Sequence, residues 1–179
     1  MKGIIFNLFE EVVVEEHGDD VWEDMLEKAQ IDGAYTAVGS YPDEQFLWLL
    51  GAMPTGGTES PDELLRWFGA KAIPLLARRY PVFFAGHTST RSFLLTLNDI
   101  IHPEVRKLYP DADVPVFDFD TPSNNGTLVV GYRSGRRLCM LAEGFIQGAA
   151  THFGEHVGIE QPQCMHRGDE RCELVCSFH

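Results

Sequence analysis

Tyr132-Arg133-Ser134-Gly135-Arg136 separates two stretches of the chain that have different periodicities. Residues 127–132 (TLVVGY) favour a strand, whereas residues 137–142 (RLCMLA) are typical of a helix. The pentapeptide therefore lies at a strand-to-helix corner. Two hydroxyls and a guanidinium meet there, and Arg136 can bind a carboxylate or phosphate through two parallel charge-assisted hydrogen bonds. The pattern predicts an anion clamp, with a plain surface turn as the alternative, since serine and glycine are common in turns.

Composition limits the class of protein and its partners. The chain has 179 residues, 44% of them hydrophobic, which is enough for one compact domain with one core. Its formal net charge is −13 and its pI is about 4.8, so its surface repels phosphate backbones and anionic lipids. No run approaches the roughly 20 apolar residues that a membrane span needs. We therefore expect a soluble, cytoplasmic protein that binds neither nucleic acid nor membrane.

Helical patterns fill the chain before the pentapeptide, and strands follow. Helices are predicted over residues 2–17, 20–30, 43–53 and 60–79, and from about residue 90 to a stop or kink at His102-Pro103. A linker is predicted at 54–59. Two hairpins, 114–119 with 126–132 and 157–163 with 172–178, flank a long helix over 137–153. This order of elements predicts an α+β fold with an antiparallel sheet.

His102 lies 30 residues before Tyr132, next to Pro103 at the end of an apolar helix. With it come an opening MKGIIFN, the stretch NDIIHPEV around His102, Pro115 after it, and an AEG triplet beyond the pentapeptide. In these features the chain resembles the heme nitric oxide/oxygen binding (H-NOX) family over essentially its whole length, in particular stand-alone bacterial members with a C-terminal zinc site. No output domain fits within 179 residues, which agrees with the stand-alone type.

The resemblance implies a fold and a cofactor. An N-terminal helical subdomain, about residues 1–60, would pack over a proximal part, about residues 61–179. That part would carry helices, a four-stranded antiparallel sheet and one long helix, with heme b between the two. Residues 1–179 would form a single domain. The α+β interpretation of the periodicity agrees with this independently.

The resemblance also implies roles for single residues around the heme. His102 would be the proximal iron ligand, and Tyr132, Ser134 and Arg136 would hold the heme propionates. Neutral imidazole is a good ligand for iron, and two propionates call for a cation in an otherwise acidic protein. Pro115 would press on the heme and distort it, although it is equally compatible with a proline at the start of a strand.

Gas selectivity is expected to depend on the opposite face of the heme. Members of the family that bind O2 place a tyrosine nine residues after the motif tyrosine, and Leu141 stands there in this chain. The other positions expected on this face are also apolar: Ile5, Phe9, Ala72, Leu76 and Phe145. Bound O2 gains from a hydrogen bond, whereas NO and CO bind ferrous heme well without one. The prediction is a sensor of NO and CO that excludes O2.

All four cysteines lie after position 138: Cys139, Cys164, Cys172 and Cys176. The resemblance implies a structural zinc held by the first three and by a histidine at a position that is Gln161 here. The fourth ligand is therefore open, with Cys176, on the same strand face as Cys172, and His166 as candidates. Reduced core thiols or a redox-active pair are the alternative.

The resemblance implies a sensor rather than an enzyme. NO would weaken or break the bond between iron and His102, and the resulting shift would regulate a partner, either a histidine kinase or a cyclic dinucleotide enzyme. A peroxidase or oxygenase would need a distal acid–base pair, which the apolar positions do not offer. A heme-free, zinc-stapled interaction or redox-sensing module is the second hypothesis.

Overall fold

The N-terminal part is helical, as predicted. The computed structural model describes residues 1–54, 59–120 and 126–179, so most of the predicted linker at 54–59 and of the turn at 121–126 lies outside the described residues. Helices α1 (Gly3–His17), α2 (Asp19–Ala29) and α3 (Asp43–Gly51) pack around an aromatic cluster. In that cluster Phe9 contacts Trp22, Phe46 and Phe68, with ring centroids 5.1–6.0 Å apart.

Helix α4 (Pro61–Arg79) begins where the sequence signals it. The Ser60 hydroxyl accepts a hydrogen bond from the Glu63 amide at 3.3 Å, and the Glu63 carboxylate accepts one from the Ser60 amide at 2.7 Å. This capping box satisfies amides that the first turn leaves without partners, and Pro61 needs none. Pro74 lies inside the helix, as expected.

The helical segment around His102 differs from its prediction. Helix α5 (Thr90–Leu94) is followed by a π-helical turn (Leu97–Ile101), and helix α6 (His102–Leu108) begins at His102 rather than ending there. Pro103 stands in the first turn of α6, where the missing amide hydrogen costs nothing. The proline therefore starts a helix here.

The C-terminal part is an antiparallel sheet with one long helix. Its strands are β1 (Val116–Asp120), β2 (Thr127–Arg133), β3 (Val157–Gln163) and β4 (Cys172–Phe178), in the order β1-β2-β4-β3. Both predicted hairpins are confirmed, and Tyr132 lies opposite Phe117 on one side and Cys172 on the other. Helix α7 (Cys139–His152) packs against this sheet and against α4. No helix among the described residues is long and apolar enough to cross a membrane.

Helices α4 and α7 approach closely because glycines line their contact. A Cβ atom on Gly144 would lie 2.2 Å from the carbonyl oxygen of Arg66, and one on Gly148 would lie 2.5 Å from that of Ala70. On the α4 side, a Cβ on Gly69 would lie 2.6 Å from the Leu141 carbonyl oxygen. Backbone therefore meets backbone along this seam, and a side chain at any of these positions would push the helices apart.

Gly144→Ala is expected to destabilise the fold by about 3 kcal/mol, because the added methyl group overlaps backbone that cannot move alone. Urea unfolding followed by circular dichroism measures this. Gly51→Ala is the matched control, since a Cβ there meets nothing within 4 Å and alanine favours the helix by up to about 1 kcal/mol. Equal midpoints for the two variants would contradict the close helix contact.

Candidate functional site

A cavity of about 460 Å³ lies between the N-terminal helices and the sheet. Its walls come from α1, α4, the α5–α6 segment, β1, β2 and the first turns of α7, and they are mainly aliphatic and aromatic. This volume lies in the range of pockets that bury a small molecule or cofactor. The cavity is therefore the candidate functional site.

His102 lines this cavity from the first position of α6. Burial lowers its pKa to about 4, since the charged imidazolium loses water there, and nearby Arg106 acts in the same direction. A hydrogen bond with the backbone of Pro115 opposes these effects. The ring of Phe117 stacks on the imidazole, with centroids 5.7 Å apart and planes 30° apart. At neutral pH His102 is thus a neutral, oriented base.

The strand-to-helix corner, residues 132–138, forms a turn that is held by hydrogen bonds between its own residues. The Ser134 hydroxyl accepts from the Arg136 amide at 3.2 Å, and the buried Tyr132 hydroxyl accepts from the Leu138 amide at 3.0 Å. Burial raises the pKa of Tyr132 to about 12, so its hydroxyl stays protonated. Tyr132, Ser134 and Arg136 all line the cavity that His102 lines, and the structure therefore brings the two predicted groups together.

Arg136 is already paired with carboxylates of the protein. Its Nε donates to Asp43 at 2.7 Å and its Nη1 to the Asp113 carboxylate at 3.0 Å. Asp43 also accepts from the amino group of Met1, and although burial opposes the effect, these hydrogen bonds lower its pKa. The Nη2 group of Arg136 has no hydrogen-bond partner within the described residues. Arg136 thus ties the start of α3 to the sheet side and keeps a donor for another anion.

Four of the six residues predicted for the apolar face line the cavity, and two do not. Pro115 lines the cavity, and so do most of the residues expected on that face: Ile5, Leu76, Leu141 and Phe145. Phe9 does not, because it is turned about 100° from Leu8 around α1 and packs into the aromatic cluster. Ala72 is fully buried but outside the lining, and its neighbour Ile73 takes that place.

Several lining residues were missed by the sequence analysis. Leu8 lies three residues after Ile5, and Tyr80 lies four after Leu76, so helical spacing alone points to both. Tyr109 directly follows α6, and its hydroxyl forms a hydrogen bond with that of Tyr80. Burial, followed by this bond, raises the pKa of Tyr109. Because this bond raises the pKa of Tyr109, Tyr109 is the donor and the Tyr80 hydroxyl is the acceptor.

A second site is the thiol cluster, Cys139, Cys164 and Cys172. Their sulfur atoms all lie within 4.8 Å of one another, and Cys164 is 3.9 Å from each of the other two. Tetrahedral coordination with zinc–sulfur bonds of about 2.3 Å would separate sulfurs by roughly 3.8 Å. Burial raises the pKa of Cys139 to about 12 and also raises that of Cys172, so thiolates here call for a bound cation. The donor set fits zinc.

Cys176 does not join the thiol cluster, contrary to the expected four-sulfur site. It shares a strand face with Cys172, but four residues along a strand span roughly 13 Å, too far for one ion. His166 is exposed and donates from Nε2 to the Arg137 carbonyl at 2.7 Å. Gln161 instead lies next to Cys139, and a hydrogen bond from its side chain partly offsets the rise that burial causes in the pKa of Cys139.

The comparisons with known proteins agree with this geometry. A family model described as Haem-NO-binding matches residues 2–161. An H-NOX protein from Shewanella oneidensis in the Fe(II)NO ligation state has a TM-score of 0.92 and 32% identity, over 100% of this chain and 99% of that one. An NMR structure from the same organism in the Fe(II)CO state has a TM-score of 0.90, 32% identity and the same coverage.

An unliganded Fe(II) H-NOX protein from K. algicida has a TM-score of 0.85 and 26% identity, over 100% of this chain and 97% of that one. Among curated protein sequences, none matches the chain. The helical N-terminal part, the antiparallel sheet and the long helix are thus confirmed as one shared fold. Since the family model spans most of the sequence and the solved structures span all of it, the chain belongs to the Haem-NO-binding (H-NOX) family.

Proposed function

We propose that this protein is a heme-based gas sensor, not an enzyme, which binds NO and CO at ferrous heme b and excludes O2. One observation carries the proposal: the neutral imidazole of His102 lines a mainly apolar cavity that Tyr132, Ser134 and Arg136 also line. The solved relatives in Fe(II)NO and Fe(II)CO states support the same gases for this chain.

His102 would ligate the iron, and the corner residues would hold the propionates. Ferrous heme supplies a metal that binds diatomic gases on its open face. His102 keeps its lone pair available at neutral pH because burial suppresses its protonation. Arg136 would offer its Nη2 amino group to an anion, and Pro115, which lines the same cavity, would press on the heme.

Exclusion of O2 follows from the lack of hydrogen-bond donors on the apolar face. Ile5, Leu76, Leu141 and Phe145 carry no donor, and the Tyr109 hydroxyl proton is used in the hydrogen bond to Tyr80. O2 needs a donor to balance the charge that it gains on iron, whereas NO and CO do not. The cavity therefore favours the two gases that bind without such help.

The signal would arise when NO binding weakens or breaks the bond to His102 and frees α6. Arg136 and Asp43 join the helical part, about residues 1–60, to the rest of the chain, about residues 61–179, so a shift at the cavity can change the surface between them. The regulated partner would be a histidine kinase or a cyclic dinucleotide enzyme. The residues expected on the open face, Ile5, Leu76, Leu141 and Phe145, are apolar, which supports a sensor.

Absorption spectra of the reduced protein with NO, CO and O2 in turn test the proposal. The expected results are a five-coordinate NO complex, a six-coordinate CO complex and no change with O2. A stable O2 complex would contradict the selectivity, and an NO complex that keeps His102 bound would contradict the release. If the protein bound no heme, the sensor function would be ruled out. The heme-free module with a structural zinc would then remain as the second function.

We also propose a structural zinc at the thiol cluster, held by Cys139, Cys164 and Cys172. Gln161 stands beside Cys139 where relatives with this site are expected to have a histidine, so water or an exogenous ligand would complete the tetrahedron. The same cluster supports the second function, since three thiolates that share a metal also respond to oxidation. Metal analysis separates the two functions, because the module binds zinc without iron.

Cys172→Ser is expected to reduce zinc from about one per chain to less than a tenth, because two thiolates remain in the cluster. Elemental analysis of the purified protein measures the content. Cys176→Ser is the matched control, since both sulfurs are fully buried on β4 but only Cys172 belongs to the cluster. Equal zinc loss in both variants, or in neither, would contradict the assignment.

A further inference from the structure

The side chain of Asn98 forms hydrogen bonds with the outer edge of strand β1. β1 is an edge strand, and Phe117 lies opposite Tyr132 of β2 in a pair whose backbone groups point away from β2. The Asn98 side chain binds both of these groups: its Nδ2 donates to the Phe117 carbonyl at 2.5 Å, and its Oδ1 accepts from the Phe117 amide at 3.3 Å. The Asn98 side-chain amide therefore satisfies the backbone groups of Phe117 that a neighbouring strand would otherwise bind.

The backbone that carries Asn98 is unusual. The Thr96 carbonyl accepts from the amides of both Ile100 and Ile101, and the Leu97 carbonyl accepts from the amide of His102. These bonds define the π-helical turn between α5 and α6, a local insertion of one residue that is frequent at functional sites. The turn ends at His102.

Asn98 and His102 both contact Phe117. Asn98 holds its backbone, and His102 stacks on its ring at 5.7 Å. The two residues are four positions apart along one continuous helical segment, so a movement of His102 away from the cavity pulls directly on the Asn98–Phe117 contact. Apart from the hydrogen bond of His102 with the backbone of Pro115, directly before β1, the segment has no other hydrogen bond from a side chain to this strand among the described residues.

We propose that Asn98 is a positioning residue which clamps the His102 segment to β1 and sets how readily His102 leaves the iron. The inference rests on the proposed function, because it concerns the same histidine. Both hydrogen bonds restrain α6 while His102 is bound, and both must stretch or break when the helix moves. A chain without them loses this restraint.

The test compares Asn98→Leu, similar in shape but without polar atoms, with Asn7→Leu. Asn7 is the matched control, because its side chain also donates to a backbone carbonyl, that of Tyr35 at 3.0 Å, but lies on α1 rather than on the His102 segment. Asn98→Asp keeps the size and the acceptor but cannot donate, and it serves if the leucine variant does not fold. Two properties are measured on heme-loaded protein: the iron–histidine stretching band, and the rate at which NO converts the six-coordinate to the five-coordinate complex.

In Asn98→Leu the conversion rate is expected to rise about tenfold and the stretching band to move to lower frequency, while Asn7→Leu matches the parent protein. Asn98→Asp should change both in the same direction by a smaller amount. An unchanged band and rate would overturn the clamp, and so would equal changes in both leucine variants, because those report only lower stability.

Two measurements test the Asn98 clamp independently of the proposed function. The stretching band is recorded without NO, so it tests the clamp even if NO does not release His102. The hydrogen exchange rate of the Phe117 amide, measured on heme-free protein, should rise about tenfold in Asn98→Leu and stay constant in Asn7→Leu. Unchanged Phe117 exchange would overturn the clamp even in a protein that never binds heme.

Discussion

His102→Gly is expected to be purified with less than a tenth of the heme of the parent protein, and to regain heme when imidazole is supplied during expression. No other imidazole lines the described part of the cavity, so the variant has no second base to take the place of His102. The space that the side chain leaves is large enough for free imidazole. The ratio of heme absorbance to protein absorbance measures the effect.

The rescued His102→Gly protein separates ligation from signalling. Free imidazole restores the bond to iron but not the covalent link to α6, so NO should still change the spectrum while any change in conformation disappears. Limited proteolysis with and without NO measures that change. His156→Gly is the control, since His156 is exposed and away from the cavity. Full heme content in His102→Gly without imidazole would contradict the assignment.

The sequence predicted the elements well where local chemistry specifies them. The start of α4 is specified by the side chains of Ser60, Pro61 and Glu63, and the alternation of apolar residues predicts both hairpins. The site was predictable for a related reason: His102 and the corner residues lie at the ends of elements, where few orientations are open to them. His102 and the corner residues were assigned to one site by the resemblance to the H-NOX family, and all of them line one cavity.

The errors occur where tertiary packing chooses between adjacent positions. One residue on a helix is a rotation of about 100°, and this separates Ile73, which lines the cavity, from Ala72, which does not. The prediction that Cys176 joins the thiol cluster was wrong because two residues on the same face of a strand can still lie too far apart along it. The π-helical turn before His102 has no sequence signal of its own, since it depends on where Asn98 and His102 meet β1.

Under the proposed selectivity, Leu141→Tyr is expected to give the protein a measurable O2 complex. Leu141 lies in the first turn of α7 and lines the cavity, so a phenol there points into the same space. A hydrogen bond to a partly charged acceptor contributes about 1.5–3 kcal/mol, which corresponds to about 10- to 100-fold in O2 affinity. Absorbance of the reduced protein titrated with O2 measures this gain.

Leu141→Phe is the matched control, because it adds the same ring without the hydroxyl. If the donor decides the selectivity, the phenylalanine variant keeps binding NO and CO and still excludes O2, whereas the tyrosine variant binds all three. Affinity for CO should change by less than threefold in either variant, since CO needs no donor. O2 binding in both variants would mean that cavity shape, not hydrogen bonding, excludes O2 here, and its absence in both would place the open face of the heme away from Leu141.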